Sequence, residues 1–312
     1  YLQNAVDAGA QRCVFIVSED HILVSNDGSE FNAENVRALC SIAQSSKQPT
    51  AGFIGFIGIG AKSAFLLGDR LEVHSGEYHF AFDNATCEDK PWEILPLGIE
   101  RCYNTRCTVN QGNYKTTFLL TKLSKGTIEN IGKIFFDQSN SYFIDARTLL
   151  FVPAETLYLE LEDRTQGRRR VIRREIVDRE LWQTENTKLE LQKVLLVENV
   201  GEERRTEKWL VVSRMISIDP SVREDNFTKL YRRDKVTERP ISVAFLLDDN
   251  EDLVSCRGVV KFGVFSYLPI REVESGLNFL IHTDFITEPG KVTLASEALW
   301  NKYLLGRWRN SY

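Results

Sequence analysis

The sequence predicts an α+β chain of two domains, and three observations carry that reading. Its 312 residues exceed what one domain usually holds, at roughly 100–200 residues each. Over the first 125 residues or so, helical patterns alternate with short apolar runs. From Thr127 onward the texture changes to a series of strand-length runs. The expected domains are therefore residues 1–125 and 126–312.

In chain order, residues 1–8 read as the last turns of a helix closed by Gly9. Cys13–Val17 and His21–Ser25 are apolar runs of strand length, and Asn26-Asp27-Gly28 is a turn signal after the second. Asn32–Ala43 is helical, because Asn32 can cap it and Val36, Leu39, Cys40 and Ala43 recur at helical spacing. Residues 52–60 hold four glycines, and a helix resumes over 61–67. Leu71–His74 and Tyr78–Phe82 alternate like paired strands around Ser75-Gly76, and Tyr114–Leu120 is another strand. A helix near 127–137 leads to strands at Thr156–Leu161, Arg170–Ile176, Trp209–Ile216, Ile241–Leu247, Gly258–Tyr267 and Asn278–Phe285, before a final helix over about 295–305. Gln166-Gly167 suggests a hairpin between the first two.

A hydrophobic fraction of 43% with 27% charged residues is an ordinary globular balance, enough to bury a core without staples. The net charge of −5 argues against a nucleic-acid or membrane-surface partner, since both select a basic field. Its longest apolar stretches, 52–61 and 259–268, are too short to span a bilayer. The arginine run at 168–170, 173 and 174 is flanked by Glu160, Glu162, Asp163, Glu175, Asp178 and Glu180, and reads as a solvated, self-compensated strand edge. Six cysteines form no Cys-x-x-Cys pair and have no histidine at zinc-ligand spacing. Reduced thiols in an intracellular protein, cytoplasmic or nuclear, are the expectation. Tyr1-Leu2-Gln3 enters a helical pattern without a cap or a Met, so the chain reads as a segment of something longer.

Three separated segments carry chemistry when taken together. In Asn4-Ala5-Val6-Asp7-Ala8-Gly9-Ala10, Asn4 and Asp7 share one helix face. An amide and a carboxylate so placed suit a hydrated Mg²⁺, which takes oxygen ligands and keeps several waters. Taken alone, Asn and Asp near a helix end are usually caps. In Ser25-Asn26-Asp27-Gly28, a side-chain acceptor and then a glycine end an apolar strand. That pattern can hold an exocyclic amine while backbone approaches closely; taken alone it is a turn. In Gly55-Phe56-Ile57-Gly58-Ile59-Gly60-Ala61-Lys62-Ser63, three glycines precede a helix. Backbone N–H groups with side chains pruned away make an anion site for a polyphosphate. The spacing matches neither a P-loop nor a GxGxxG fingerprint.

This motif order resembles the GHKL ATPases, and within them the sacsin-type and ninety-kilodalton heat-shock-chaperone branch. The likeness covers Leu2–Ala10, Ser41–Lys47, Gly55–Gly76, Leu149-Leu150-Phe151, Phe265–Pro269, Leu277–Phe285 and Trp300-Asn301, and is densest through residue 83. It implies a Bergerat-fold two-layer α/β sandwich followed by a second α/β domain like the chaperone's middle segment. It further implies binding of Mg-ATP and ADP and slow hydrolysis of the γ-phosphate, coupled to closure in a chaperone-like or multidomain regulatory protein. Partners would be other domains of a longer chain, client proteins or a homodimer mate. The alternative is a nucleotide-gated scaffold with little or no hydrolysis.

Carried over by motif, Asn4 resembles the magnesium ligand, with Asp7 and Ala8 beside it. Asn26, Asp27, Gly28 and Phe31 would line the base, with Asn26 and Asp27 both open as the adenine contact. Ser46 and Lys47 sit where the lid begins. Gly55, Phe56, Ile57, Gly58, Ile59 and Gly60, with Lys62 and Ser63, would hold the phosphates. One threonine of Thr116-Thr117 resembles the family's strand threonine near adenine, and alternation with Phe118 and Leu120 favours Thr116. Lys47 and Lys291 are the candidate catalytic residues. Lys291 falls where the family more often has an arginine that reaches the γ-phosphate. The family's general-base glutamate would fall one residue before Tyr1, outside this sequence.

Overall fold

The computed structural model describes residues 1–40, 62–86, 96–100, 114–140, 142–184, 188–271, 276–288 and 293–309. They cluster into two units. The first holds Tyr1–Ile144, Thr156–Ile172 and Glu198–Arg204; the second holds Asp145–Glu155, Arg173–Val197 and Arg205–Tyr312.

In the first unit the chain runs α1 (Leu2–Asp7), β1 (Arg12–Val17), β2 (His21–Asn26), α2 (Ala33–Cys40), β3 (Gly68–Ser75), β4 (Tyr78–Asp83), β5 (Leu97–Gly98), β6 (Thr116–Leu123), α3 (Thr127–Phe136) and β7 (Thr156–Asp163). The strand order is β7-β1-β2-β6-β3-β4-β5. Only the β1–β7 pairing is parallel; the other pairings along this order are antiparallel. Strand alternation sorts the two faces. Asn26, Thr116 and Ser75 stand opposite one another in register, and Val24, Phe118 and Val73 form the next row on that face. On the other face Val14, Ile16, Leu23 and Leu119 form an apolar cluster. The α2 start is doubly capped, since Asn35 N–H donates to Asn32 Oδ1 and Asn32 N–H to Asn35 Oδ1, both at 2.9 Å.

The strands β8 (Arg168–Gln183), β9 (Lys188–Val200) and β10 (Glu203–Ser217) follow, with residues in both units. The second unit continues through α4 (Pro220–Glu224), α5 (Asn226–Leu230), β11 (Glu238–Leu247), β12 (Leu253–Val254), β13 (Val264–Ser266), β14 (Leu268–Pro269), β15 (Leu280–Thr283) and α6 (Leu299–Arg309). There β11 pairs with β10, β12 and β15, all antiparallel, and β13 runs parallel to β15. Ile216, Val236, Ile241, Ile270, Phe285, Trp300 and Leu304 lie in one buried core.

The expected fold class is corrected here. The described residues build a large mixed β-sheet, with 44% strand against 22% helix. A helix-rich two-layer α/β sandwich followed by an α/β domain is not what forms; ordinary globular domains carry about 30–35% helix. The physical reason lies in β8 to β10, where the sequence shows only two short strands. Inward positions of β8 are filled by Arg170 and Arg174, each 1% exposed, on either side of Ile172. Residues 177–183 of β8 and 188–193 of β9 are exposed or half-buried on both faces, so no period-2 pattern shows there. Both arginines find partners inside, though Arg174 Nε has none among the described residues. Arg170 donates to Glu198 Oε1 (2.6 Å) and Phe135 O (2.9 Å) and stacks over Phe143. Arg174 donates to Glu155 O and Gln192 Oε1, and burial pulls its pKa down to about 10. The arginine run is compensated by its neighbours, with Arg168 on Asp163 and Arg169 on Glu160, but Arg170 and Arg174 are buried rather than solvated.

Among the described residues no helix is long and apolar enough to cross a membrane. The stretch 258–267 shortens to β13, ended by Tyr267 with a positive φ of 60°, and 278–285 shortens to β15.

Candidate functional site

The structure brings two of the three chemistry-bearing segments together at one end of the first unit's strands. Gly28 is the point of contact. A Cβ built on it would lie 2.8 Å from Ala8 O and 2.9 Å from Ala8 Cβ, so only glycine lets the end of α1 sit against the residues after β2. Ser29 N–H then donates to Ala8 O at 2.7 Å, tying the two segments. Ala5, Val6 and Ala10 are buried beneath, and the Tyr1 ring meets Phe118 edge-on at 4.9 Å. Asn4 and Asp7 are half-buried on this helix, three residues apart.

Asn26 and Asp27 are separated by their partners. The Asp27 carboxylate accepts from Gln11 N–H and Arg12 N–H, both at 2.8 Å from Oδ1. It therefore clamps the start of β1 to the end of β2. Asn26 is buried on the α1 side, with Oδ1 accepting from Gly28 N–H at 3.1 Å. A carbonyl oxygen has two lone pairs, so one acceptor position is not used by that turn. Beside it, Thr116 Oγ1 and Ser75 Oγ share a 2.6 Å hydrogen bond, and Phe31 N–H donates to Ser75 Oγ at 2.9 Å. Phe31 packs edge-on against Phe118 at 6.0 Å. Asn26, Thr116 and Ser75 thus form a buried polar row, with Phe118 beneath and Phe31 beside it. Thr117 lies on the opposite face, bonded to Ser25 Oγ at 2.8 Å.

Burial pushes the Cys13 thiol up to about 12 and raises the Tyr1 phenol. Both stay protonated at neutral pH, so neither is a nucleophile here.

Lys62 and Ser63 open a short 3₁₀ helix, Lys62–Leu66; their side chains lie outside the described residues. Ser46, Lys47, Gly55, Phe56, Ile57, Gly58, Ile59, Gly60 and Lys291 also lie outside them. On either side of residues 289–292, Glu288 N–H donates to Thr293 O, and Thr287 bridges Leu294. Asn301 pins this stretch, accepting from Ile286 N–H and donating to Ile286 O and Ala295 O.

Ser75 was absent from the residues singled out by sequence. It reads as half of a Ser-Gly turn, and only the register that sets it opposite Thr116 shows its second role. Among the described residues no group of three or more His, Cys, Asp or Glu could hold a metal ion.

The second unit holds a buried ionic knot. Asp284 accepts from Arg233 at 2.6 and 3.1 Å and from Arg239 at 2.9 Å. Burial pushes its carboxyl up, but the two guanidiniums more than offset this and hold it below the usual range. Trp300 Nε1–H donates to the Asp284 carbonyl at 2.7 Å. Next to it His282 is fully buried, stacked on Phe151 at 4.7 Å and met edge-on by Tyr267. Neither ring nitrogen has a hydrogen-bond partner among the described residues. Burial pulls its pKa down to about 3. This is a structural, neutral histidine.

One comparison bears on the chain as a whole. It is 28% identical over 305 residues to Protein NO VEIN of Arabidopsis thaliana. The match covers 94% of this chain and 10% of that protein, so the chain spans about a tenth of the length of the curated relative it matches. No protein-family model matches the chain.

Proposed function

We propose that this chain is a Mg-ATP-binding module of the GHKL motif type, which hydrolyses the γ-phosphate slowly to drive conformational change in a larger, chaperone-like or regulatory protein. The observation that supports it best is the seat of Ala8 on Gly28. That contact ties the helix of Asn4 and Asp7 to the strand end of Asn26, beside the buried Asn26–Thr116–Ser75 row. In this reading Asn26 accepts from the adenine amino group and Thr116 stands next to it, while Asp27 holds the backbone. Asn4 would bind Mg²⁺ as an oxygen ligand, and the glycines at 55, 58 and 60 would receive the phosphates through backbone N–H groups.

Hydrolysis in such a site is a matter of positioning and of charge neutralisation. Lys291 and Lys47 are the cations proposed for the latter. Lysine serves there as a point charge, without the bidentate fork of arginine. The match to a tenth of a much longer relative is consistent with other domains of the same polypeptide acting as partners. ATP dependence fits a place inside the cell, cytoplasmic or nuclear.

The test compares ATP and adenosine on the parent chain and on Asn4→Ala. Loss of the Mg²⁺ enhancement of ATP binding with adenosine binding retained supports the assignment. Equal weakening of both ligands would make Asn4 structural, and no binding of either by the folded parent would remove the proposal.

A further inference from the structure

His74 and His79 stand opposite one another in the register of β3 and β4, one pair in from the turn at Gly76. Their Nδ1 atoms are 3.1 Å apart and their rings tilt 40° to each other at 5.3 Å between centroids. Two imidazole nitrogens at that separation can share a proton or hold a cation between them. With zinc–nitrogen bonds of ~2.0–2.1 Å, ligand nitrogens lie roughly 3.3–3.4 Å apart at a tetrahedral angle and about 2.9 Å apart at a right angle. The observed separation lies between these limits; with centroids 5.3 Å apart the two nitrogens face each other nearly in line, so both rings must also turn for their lone pairs to converge on an ion.

The far side of His74 is already arranged for such a role. Glu72, two residues back on the same strand face, places Oε2 3.6 Å from His74 Nε2. Arg70 holds the same carboxylate at 2.8 Å and Asp83 at 3.0 Å. Arg70 anchors that carboxylate, and His74 Nε2 is buried with no hydrogen-bond partner among the described residues, so a small shift would bring Glu72 onto it. A carboxylate placed behind Nε2 favours the tautomer with the ring proton on that nitrogen, which leaves the Nδ1 lone pair toward His79. Carboxylate–histidine pairs of this kind fix the tautomer and orientation of metal-bound imidazoles.

We propose that His74 and His79 form a two-histidine site for a late first-row divalent cation such as Zn²⁺, with Glu72 as the positioning residue behind His74. On binding, the proton between the two Nδ1 atoms moves to His79 Nε2, a change of tautomer with no net proton release from a neutral pair. Water completes the coordination, since no third protein ligand joins the pair among the described residues. An open site with two protein ligands binds more weakly than a closed four-ligand structural site. His74 pairs in register with Thr117 and Ser75 with Thr116, so the histidines lie on the opposite face of β3 from the buried polar row. The site stands or falls independently of nucleotide binding.

The experiment is titration of the full 312-residue chain with Zn²⁺ by calorimetry, for the parent, His74→Ala, His79→Ala and Glu72→Gln. Circular dichroism checks that each is folded, and Co²⁺ absorption tells imidazole from thiolate ligation. The expected result is a zinc event, without thiolate charge-transfer bands, that weakens at least tenfold in either histidine variant. Glu72→Gln should weaken it about 10–100-fold, the usual effect of removing the group behind a metal-bound histidine. Zinc should raise the melting temperature of the parent but not of His79→Ala. If an alanine variant unfolds, His79→Asn replaces it and should show the same loss. No zinc binding by the parent, equal affinity in the histidine variants, or thiolate bands that persist in them would overturn the site.

Discussion

Replacing Gly28 by alanine perturbs the contact that seats α1 in the candidate site. The new Cβ would meet Ala8 O at 2.8 Å, Ala8 Cβ at 2.9 Å and Ala8 C at 3.1 Å. Two of these three atoms are backbone, and no flexible side chain can swing aside. The end of α1 must retreat by roughly half an ångström to restore ordinary contact, stretching the 2.7 Å bond from Ser29 N–H to Ala8 O. Overpacking of this kind costs ~1–3 kcal/mol. In a unit of this size each kcal/mol lowers Tm by about 2–4 °C, so a loss of several degrees is expected by calorimetry. Because Asn4 rides on the displaced helix, Mg-ATP binding should weaken more than adenosine binding, which rests on the strand end. A Gly28→Ala chain with the parent's Tm and the parent's ATP affinity would refute the claim that this glycine seats the helix.

Three further outcomes follow from the same geometry. Asp27→Ala removes two hydrogen bonds and should destabilise the first unit by about 1–3 kcal/mol while leaving nucleotide affinity nearly intact, whereas Asn26→Ala should lose ~1–3 kcal/mol of ATP binding besides the stability lost by stranding the buried Gly28 N–H; weakened ATP binding in Asp27→Ala and not in Asn26→Ala would reassign the adenine contact. Asp284→Asn leaves Arg233 and Arg239 buried against a neutral group and should cost about 3–5 kcal/mol in denaturant unfolding; a loss below ~1 kcal/mol would show the pair to be solvated. His282 binds its proton more tightly unfolded than folded, so its contribution is complete above pH ~6.5 and is lost as pH falls toward about 3, with a slope up to about 1.4 kcal/mol per pH unit. His282→Phe should flatten stability against pH in that window, and an unchanged slope would place the acid response elsewhere.

How much could be read from the residues varied with what filled the buried positions. Where apolar side chains occupy the inward sites, as in β1, β2, β4 and α3, the runs announced themselves. The α2 cap was equally plain, because Asn32 stands just before a helical apolar repeat. The long strands β8 to β10 were not legible over their full length, because residues 177–183 and 188–193 are exposed or half-buried on both faces, and Arg170 and Arg174 stand at inward sites of β8. The expected fold class fails on that account, since strand segments without an alternating apolar face do not stand out in hydropathy. At the site, Asn26 and Asp27 are neighbours in sequence and interchangeable by residue type. They separate only when the fold brings Gln11 and Arg12 N–H groups to one carboxylate. Thr116 could be preferred over Thr117 from alternation alone, and its register places it on the Asn26 side. Ser75 and the Gly28–Ala8 contact needed the three-dimensional pairing, because no local pattern encodes a partner 41 residues away, as Thr116 is from Ser75.

The most direct test of the account is calorimetric titration of the folded chain with ATP, ADP and a non-hydrolysable ATP analogue, each with and without Mg²⁺. The account predicts saturable binding of ATP and the analogue at one site per chain, tightened by Mg²⁺ and weakened in Asn26→Ala. Absence of saturable heat for all three nucleotides, in a chain whose melt shows it folded, would contradict it.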